Sequence, residues 1–157
     1  MRGFSFIINN EYFIVDVDVV HKTTQKLMVT PVPSAPEEII GISNIKGKVI
    51  TIFNLYRLLG HNERRKKDYN YRAVKAVIFK TLSNSAEQLG LLIDKPGNLV
   101  EIDDNAVKPP VMPAGSEESS CICGIAEINN MLFRIISIDS IIKKYKLNGG
   151  IENEEII

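Results

Sequence analysis

The chain has 157 residues, with 19 basic and 19 acidic side chains, two cysteines and no tryptophan. That length suits one ordinary domain or two small ones sharing a core, and a net charge of zero argues against nucleic acid as the main partner, because phosphate neutralisation leaves a basic excess. Two cysteines, no export-type leader in MRGFSFIINN and no apolar run of membrane-spanning length point to a reducing, cytoplasmic setting in which the aliphatics, above all Ile, carry the core.

Phe4–Ile8 reads as a strand, Asn9-Asn10 as a hairpin turn and Tyr12–Val17 as the return strand. Asp18–His21 either continues that strand or bends into a helical turn, the turn being preferred, Thr23–Lys26 reads as polar loop and Leu27–Thr30 as a short strand. Three prolines in VTPVPSAP force an extended path and forbid a central strand. Glu37–Ile40 is expected to form one helical turn behind Pro36. Gly41–Leu59 then reads as strand, tight turn at Lys46-Gly47, buried strand and short helix, with Gly60 stopping the helix. His61–Tyr71 is a charged, solvated loop. Ala73–Lys80, Leu89–Asp94 and Leu99–Ile102 read as strands, the last two separated by a turn at Lys95-Pro96-Gly97-Asn98. Pro109-Pro110 and Pro113 bracket an extended loop. From Gly124 the chain reads strand, turn, strand and a longer helix with the apolar stripe Ile138, Ile141, Ile142 and Tyr145. Residues 149–157 form a flexible tail.

The segment from Gly41 returns roughly eighty residues later. Gly41 matches Gly124, Ile42 matches Ile125, Gly47 matches Asn130, and Leu58-Leu59 match Ile141-Ile142. One structural unit is therefore used twice. Short strands bounded by turn residues predict small β-barrels, and two copies predict two barrels packed through Ile-rich faces.

Catalytic chemistry finds no anchor. His21 and His61 are far apart, and Cys121-x-Cys123 lacks the second ligand pair that zinc needs. The two thiols read as ordinary buried cysteines on one strand face. Asp16 and Asp18 have no nearby base, and no phosphate-cradling glycine loop occurs. The residues predict no cofactor and no metal, and a binding module rather than an enzyme.

VTPVPSAPEEIIGISNIKGKVITIFNL resembles the signature segment of the CheW family of chemotaxis coupling proteins. NEYFIVDVDVV, LGLLIDKPGNLVEIDDNAVKPP and CGIAEINNMLFRIISIDSIIKK resemble further segments of that family, so the likeness covers nearly the whole chain. The resemblance implies a mainly β fold of two small SH3/OB-like five-stranded barrels, packed together with short helices and a C-terminal helix. The expected division is 11–80 for the first barrel, and 1–10 with 81–148 for the second. It implies a non-enzymatic adaptor that couples methyl-accepting chemoreceptor tips to the regulatory domain of the histidine kinase CheA. Such an adaptor meets the membrane only indirectly, through receptor arrays in the cytoplasm.

By the same resemblance the partner-binding positions are Gly41, Asn44, Lys46 and Gly47, with Val19 and His21 in an earlier contact stretch and Lys108 to Met112 in a loop of the second barrel. Gly41 and Gly47 also fit a purely geometric need, and Asn44 fits a turn cap. Turn geometry supplies no reason for a charge at Lys46. The chain departs from the family where Lys46 replaces an arginine, His21 a glutamate and Thr51 a proline, which suits a divergent paralogue or a fragment of a longer regulator. The other classes considered are an oligonucleotide-binding barrel, disfavoured by few aromatics and balanced charge, and a small-molecule sensor or enzyme using the inter-barrel groove.

Overall fold

The structure, a computed structural model, describes residues 1–60, 69–80, 88–110 and 121–147. β1 (Arg2–Ile8) and β2 (Glu11–Asp16) form a hairpin across Asn9 and Asn10, whose φ values of 50° and 64° are what a tight two-residue turn demands. A 3-10 turn at Val17–Val19, capped by the Asp16 carboxylate, leads into β3 (Val20–Leu27). β4 (Ile39–Ile45), β5 (Lys48–Phe53) and α1 (Leu55–Leu58) follow. Asn54 caps α1 by accepting from the Tyr56 and Arg57 amides. Then come β6 (Val74–Phe79), β7 (Gln88–Leu92), β8 (Lys95–Glu101) and the short β9 (Val107–Lys108). β10 (Ile122–Ile128), β11 (Met131–Ile136) and α2 (Ile138–Leu147) complete the described chain.

The strands form two sheets, as the expected mainly β class requires. One has six strands in the order β8-β1-β2-β11-β10-β9, the other five in the order β3-β6-β7-β5-β4. The two orders correspond except for β9, which has no counterpart strand in the smaller sheet: a hairpin, β1–β2 or β6–β7, inserts between an outer strand and a second hairpin, β10–β11 or β4–β5. In each sheet one contact is parallel, β2 with β11 and β7 with β5. The repeat therefore extends beyond the segment that the sequence displays. Each copy runs hairpin, outer strand, hairpin, helix, and the first hairpin of each copy pairs with the body of the other.

That exchange corrects the expected barrel limits. β2 lies with β1 in the six-stranded sheet rather than in a unit spanning 11–80, and β7 lies in the five-stranded sheet rather than in a unit spanning 81–148. Local sequence fixes a hairpin, but the sheet it joins is decided by pairing with distant strands. The expected tail, 149–157, lies outside the described residues.

Hydrophobic side chains form three clusters. One fills the five-stranded sheet with Leu27, Val29, Ile50, Ile52, Ala76 and Ile78. Another lines the six-stranded sheet with Ile14, Ile102, Ala126, Phe133 and Ile135. The largest lies between the sheets and takes residues from both, together with Leu55, Leu58 and Leu59 of α1 and Ile138 and Ile141 of α2. Its centre is aromatic as well as aliphatic: Phe6, Phe13, Phe53 and Phe79 are each at most 1% exposed. Four of the six phenylalanines thus sit where Ile-rich faces were expected.

Several local readings change. Thr23–Lys26 is not loop but part of β3, an outer strand whose polar face is wet and which, among the described residues, pairs only with β6. Glu37–Ile40 forms no helix; Ile39 N–H donates to Pro36 O at 3.0 Å in a single turn, and β4 begins there. Lys95-Pro96-Gly97-Asn98 is strand rather than turn. Pro96 is tolerated because β8 is the outer strand of its sheet. At Gly97 a Cβ would strike the Ser5 hydroxyl and come within 2.6 Å of the Ser5 carbonyl oxygen, so only glycine lets β8 approach the bulge in β1.

Candidate interaction site

The tip of the β4–β5 hairpin is the most constrained part of the candidate site. Lys46 has φ 52° and Gly47 φ 84°. Gly47 suits that geometry, and the Asn44 side-chain oxygen fixes it by accepting the Gly47 N–H at 3.0 Å. Lysine does not suit it: a left-handed conformation costs an L-residue with a Cβ about 1–2 kcal/mol. The equivalent turn of the other hairpin holds Asn129 at 53° and Asn130 at 64°, where the short polar side chain tolerates the conformation. Lys46 is exposed, so packing does not compensate for the strain.

The hairpin tip stands at one end of the five-stranded sheet. β3 begins there, β6 ends there, and β7 begins there, with Gln88 paired to Ile50 of β5. The sheet is curled, because Thr30 beyond β3 bridges back to Ile42 of β4. The curled end carries a half-open pocket of ≈ 410 Å³. His21 and Lys22 of β3, Ile45, Lys46, Lys48 and Ile50 of the β4–β5 hairpin, Lys80 after β6 and Gln88 of β7 line it. Gln88 is held by its side-chain amide, which donates to Phe79 O at 3.1 Å. The structure thus brings His21 and Lys46 to one mouth, although 24 residues of chain with three prolines separate them.

The other expected contacts sort differently. Val19 is half-buried against the layer between the sheets. Gly41 is buried, and its need for glycine is a packing need: a Cβ would collide with the Thr30 carbonyl oxygen and lie 2.7 Å from Val29 Cγ1. Asn44 is exposed beside the turn it caps. Lys108 is exposed on β9, in the other sheet. Met112 lies outside the described residues. Lys22, Lys48 and Lys80 were not expected at the site; each looks like an ordinary surface lysine until the sheet curls and gathers them.

A second polar cluster ties the two sheets together. Tyr56 of α1 donates its hydroxyl to the Glu11 carboxylate of β2, and Arg134 of β11 lies 3.4 Å from the same carboxylate. Burial, then the hydrogen bond and charge of Glu11, push the Tyr56 pKa up to about 12. The cysteines also differ from expectation. Cys121 is buried ahead of β10, its thiol 3.9 Å from Leu58 O, whereas Cys123 is exposed at an irregular step of the β10–β11 ladder. Partial burial raises the Cys123 pKa. Among the described residues no cluster of His, Cys, Asp and Glu is arranged to hold a metal ion, and no helix is long and apolar enough to cross a membrane.

Comparison with known proteins agrees with this architecture. The family described as the CheW-like domain matches residues 2–146. The chemotaxis protein CheW of Thermotoga maritima is 24% identical over 148 residues, covering 94% of this chain and 91% of that protein. The protein of the same name from Helicobacter pylori is 24% identical, covering 92% and 82% respectively. The crystal structure of the scaffolding protein TtCheW from Thermoanaerobacter tengcongensis superposes with a TM-score of 0.71 at 26% identity, over 87% of this chain and 88% of that one. Two interleaved β units with a shared core, matched along almost their whole length, place this chain in the CheW-like domain family.

Proposed function

We propose that the chain is a non-enzymatic adaptor of chemotaxis signalling that couples chemoreceptor cytoplasmic tips to the histidine kinase CheA. Family membership supports an adaptor role, and the observation that carries the local assignment is Lys46. An exposed lysine held at φ 52°, where the sister turn uses asparagine, is a strained choice that packing does not reward. Strain retained at an exposed position is a mark of function. The cation projects from a hairpin tip whose shape Asn44 and Gly47 set, and it meets an acidic or amide acceptor on the receptor. Val19, His21 and Lys108 belong to the wider contact surface with kinase and receptor.

The adaptor works by holding two partners together, so its rigidity matters more than any reactive group. The aromatic layer between the sheets and the Tyr56–Glu11–Arg134 cluster fix one unit relative to the other. The experiment is a reconstitution of kinase autophosphorylation with receptor signalling fragments. Adding this protein changes the rate only when receptor and kinase are both present, and the protein alone hydrolyses no ATP. ATP hydrolysis by the pure protein, abolished by a point substitution, overturns the adaptor reading.

A further inference from the structure

The cavity at the curled end of the five-stranded sheet carries a charge that the rest of the chain does not explain. Overall the chain is neutral, with 19 basic and 19 acidic residues. Yet Lys22, Lys46, Lys48 and Lys80 all line this one mouth, with His21 beside them and no carboxylate among the described lining residues. The ion pairs among the described residues join Met1 to Asp104, Arg2 to Glu101, Arg57 to Glu37 and Arg134 to Glu11; none involves these lysines. Like charges gathered at one mouth repel one another, and a concave surface concentrates their field. Such a gathering of cations attracts an anion.

We propose that this mouth is a binding site for a small anion carrying two or more phosphoryl groups. Three features select that class. The volume of ≈ 410 Å³ is that of a small-ligand pocket rather than of an extended protein groove. The strand-end cations are all lysines, which bind phosphoryl oxygens as mobile point charges. The lysines come from β3, the β4–β5 hairpin and the end of β6, and line the same mouth as Ile45, Ile50 and Gln88, so several can engage the oxygens of one compact anion. Lys46 belongs both to this site and to the coupling surface. A bound anion therefore competes with the partner there, a consequence that rests on the coupling reading; the binding itself does not.

The test is calorimetric titration of the full chain with tripolyphosphate, inorganic phosphate and a hexaglutamate peptide at about 0.05 M salt, where surface charge is little screened. Tripolyphosphate should bind at one site, at least about tenfold tighter than inorganic phosphate or hexaglutamate. The Lys48→Gln/Lys80→Gln double variant should lose about tenfold in affinity, while Lys75→Gln on the exposed face of β6 changes nothing. Amide chemical shifts of the wild-type protein should move at His21, Lys46 and Gln88, which locates the site even where a variant folds poorly. No binding of tripolyphosphate, equal affinity in the double variant, or shifts elsewhere overturns the proposal. Binding of hexaglutamate as tight as that of tripolyphosphate makes the mouth an acidic-peptide groove and also overturns it. Should tripolyphosphate bind at the mouth without altering kinase coupling, the site stands and only the competition with the partner falls.

Discussion

Gly41 and Gly124 occupy equivalent positions of the two repeats, yet their replacement by alanine should have unequal effects. At Gly41 the new Cβ would collide with the Thr30 carbonyl oxygen, and its next contacts are Val29 Cγ1 at 2.7 Å and the Thr30 carbonyl carbon at 2.8 Å. Two of these three are backbone, so the chain at residue 30 must move. That movement breaks the pair of hydrogen bonds that closes the curl, Thr30 N–H to Ile42 O at 2.7 Å and Ile42 N–H to Thr30 O at 2.9 Å. Each contributes about 1 kcal/mol. Val29, 3% exposed, is pushed from the core, and full exposure of a valine would cost roughly 1.5–3 kcal/mol. The sum is about 3.5–5 kcal/mol. At Gly124 the nearest atom is Val107 Cγ1 at 2.8 Å, a side-chain tip that can turn aside, and the backbone oxygen of Lys108 is at 3.4 Å. The cost there is about 1 kcal/mol. Urea unfolding followed by far-ultraviolet circular dichroism gives both values, since the chain has no tryptophan to report by fluorescence. Equal losses at the two glycines, or a loss under about 1 kcal/mol for Gly41→Ala, would show that the Thr30 bridge does not hold the sheet curled.

Gly47→Val should cost about 1–3 kcal/mol from backbone strain alone, because a Cβ there meets nothing within 4 Å; an unchanged melting temperature refutes the turn geometry. Lys46→Asn, which copies the sister turn, should raise stability by about 1 kcal/mol while weakening receptor coupling; a variant that couples like wild type would mean the strain serves no contact. Tyr56→Phe should cost about 1.5–3 kcal/mol, because the lost bond is to a carboxylate. The raised Tyr56 pKa also sets the sign of an alkaline effect: the stabilisation is complete below the ordinary tyrosine value near 10 and is lost as pH rises through about 12. Denaturation between those values should therefore be steeper for wild type than for Tyr56→Phe, and parallel curves would refute the Glu11 contact.

The β4–β5–α1 unit and its copy were legible because their signals are local. Glycine marks the close approach, two left-handed residues mark the turn, and apolar spacing switches from strand to helix. The strand β3 was not legible, because HKTTQK lacks apolar alternation and its pairing is supplied by β6. β8 was hidden by Pro96 and Gly97, turn residues by composition that serve an outer strand beside a bulge. The exchange of hairpins between repeats leaves no local mark, since each hairpin is equally well formed beside either partner. The same holds for the candidate site. Lys46 stood out because it sat beside a glycine in a turn. Lys22, Lys48 and Lys80 join it only when five strand ends meet, and no short-range pattern encodes that meeting.

The central claim is that the hairpin tip couples receptor to kinase through the charge of Lys46. The direct measurement is a pull-down of CheA and receptor signalling fragments with wild type, Lys46→Glu and Lys46→Arg, with calorimetry of each free protein. A desolvated charge-assisted hydrogen bond contributes roughly 1.5–3 kcal/mol, and charge reversal adds repulsion to its loss. Lys46→Glu should therefore bind receptor at least about tenfold more weakly, with its melting temperature within about two degrees of wild type, while Lys46→Arg retains or tightens binding. If Lys46→Glu binds receptor and kinase like wild type, the lysine is a solvated turn residue; if it unfolds the protein, the charge is structural; either result contradicts the account.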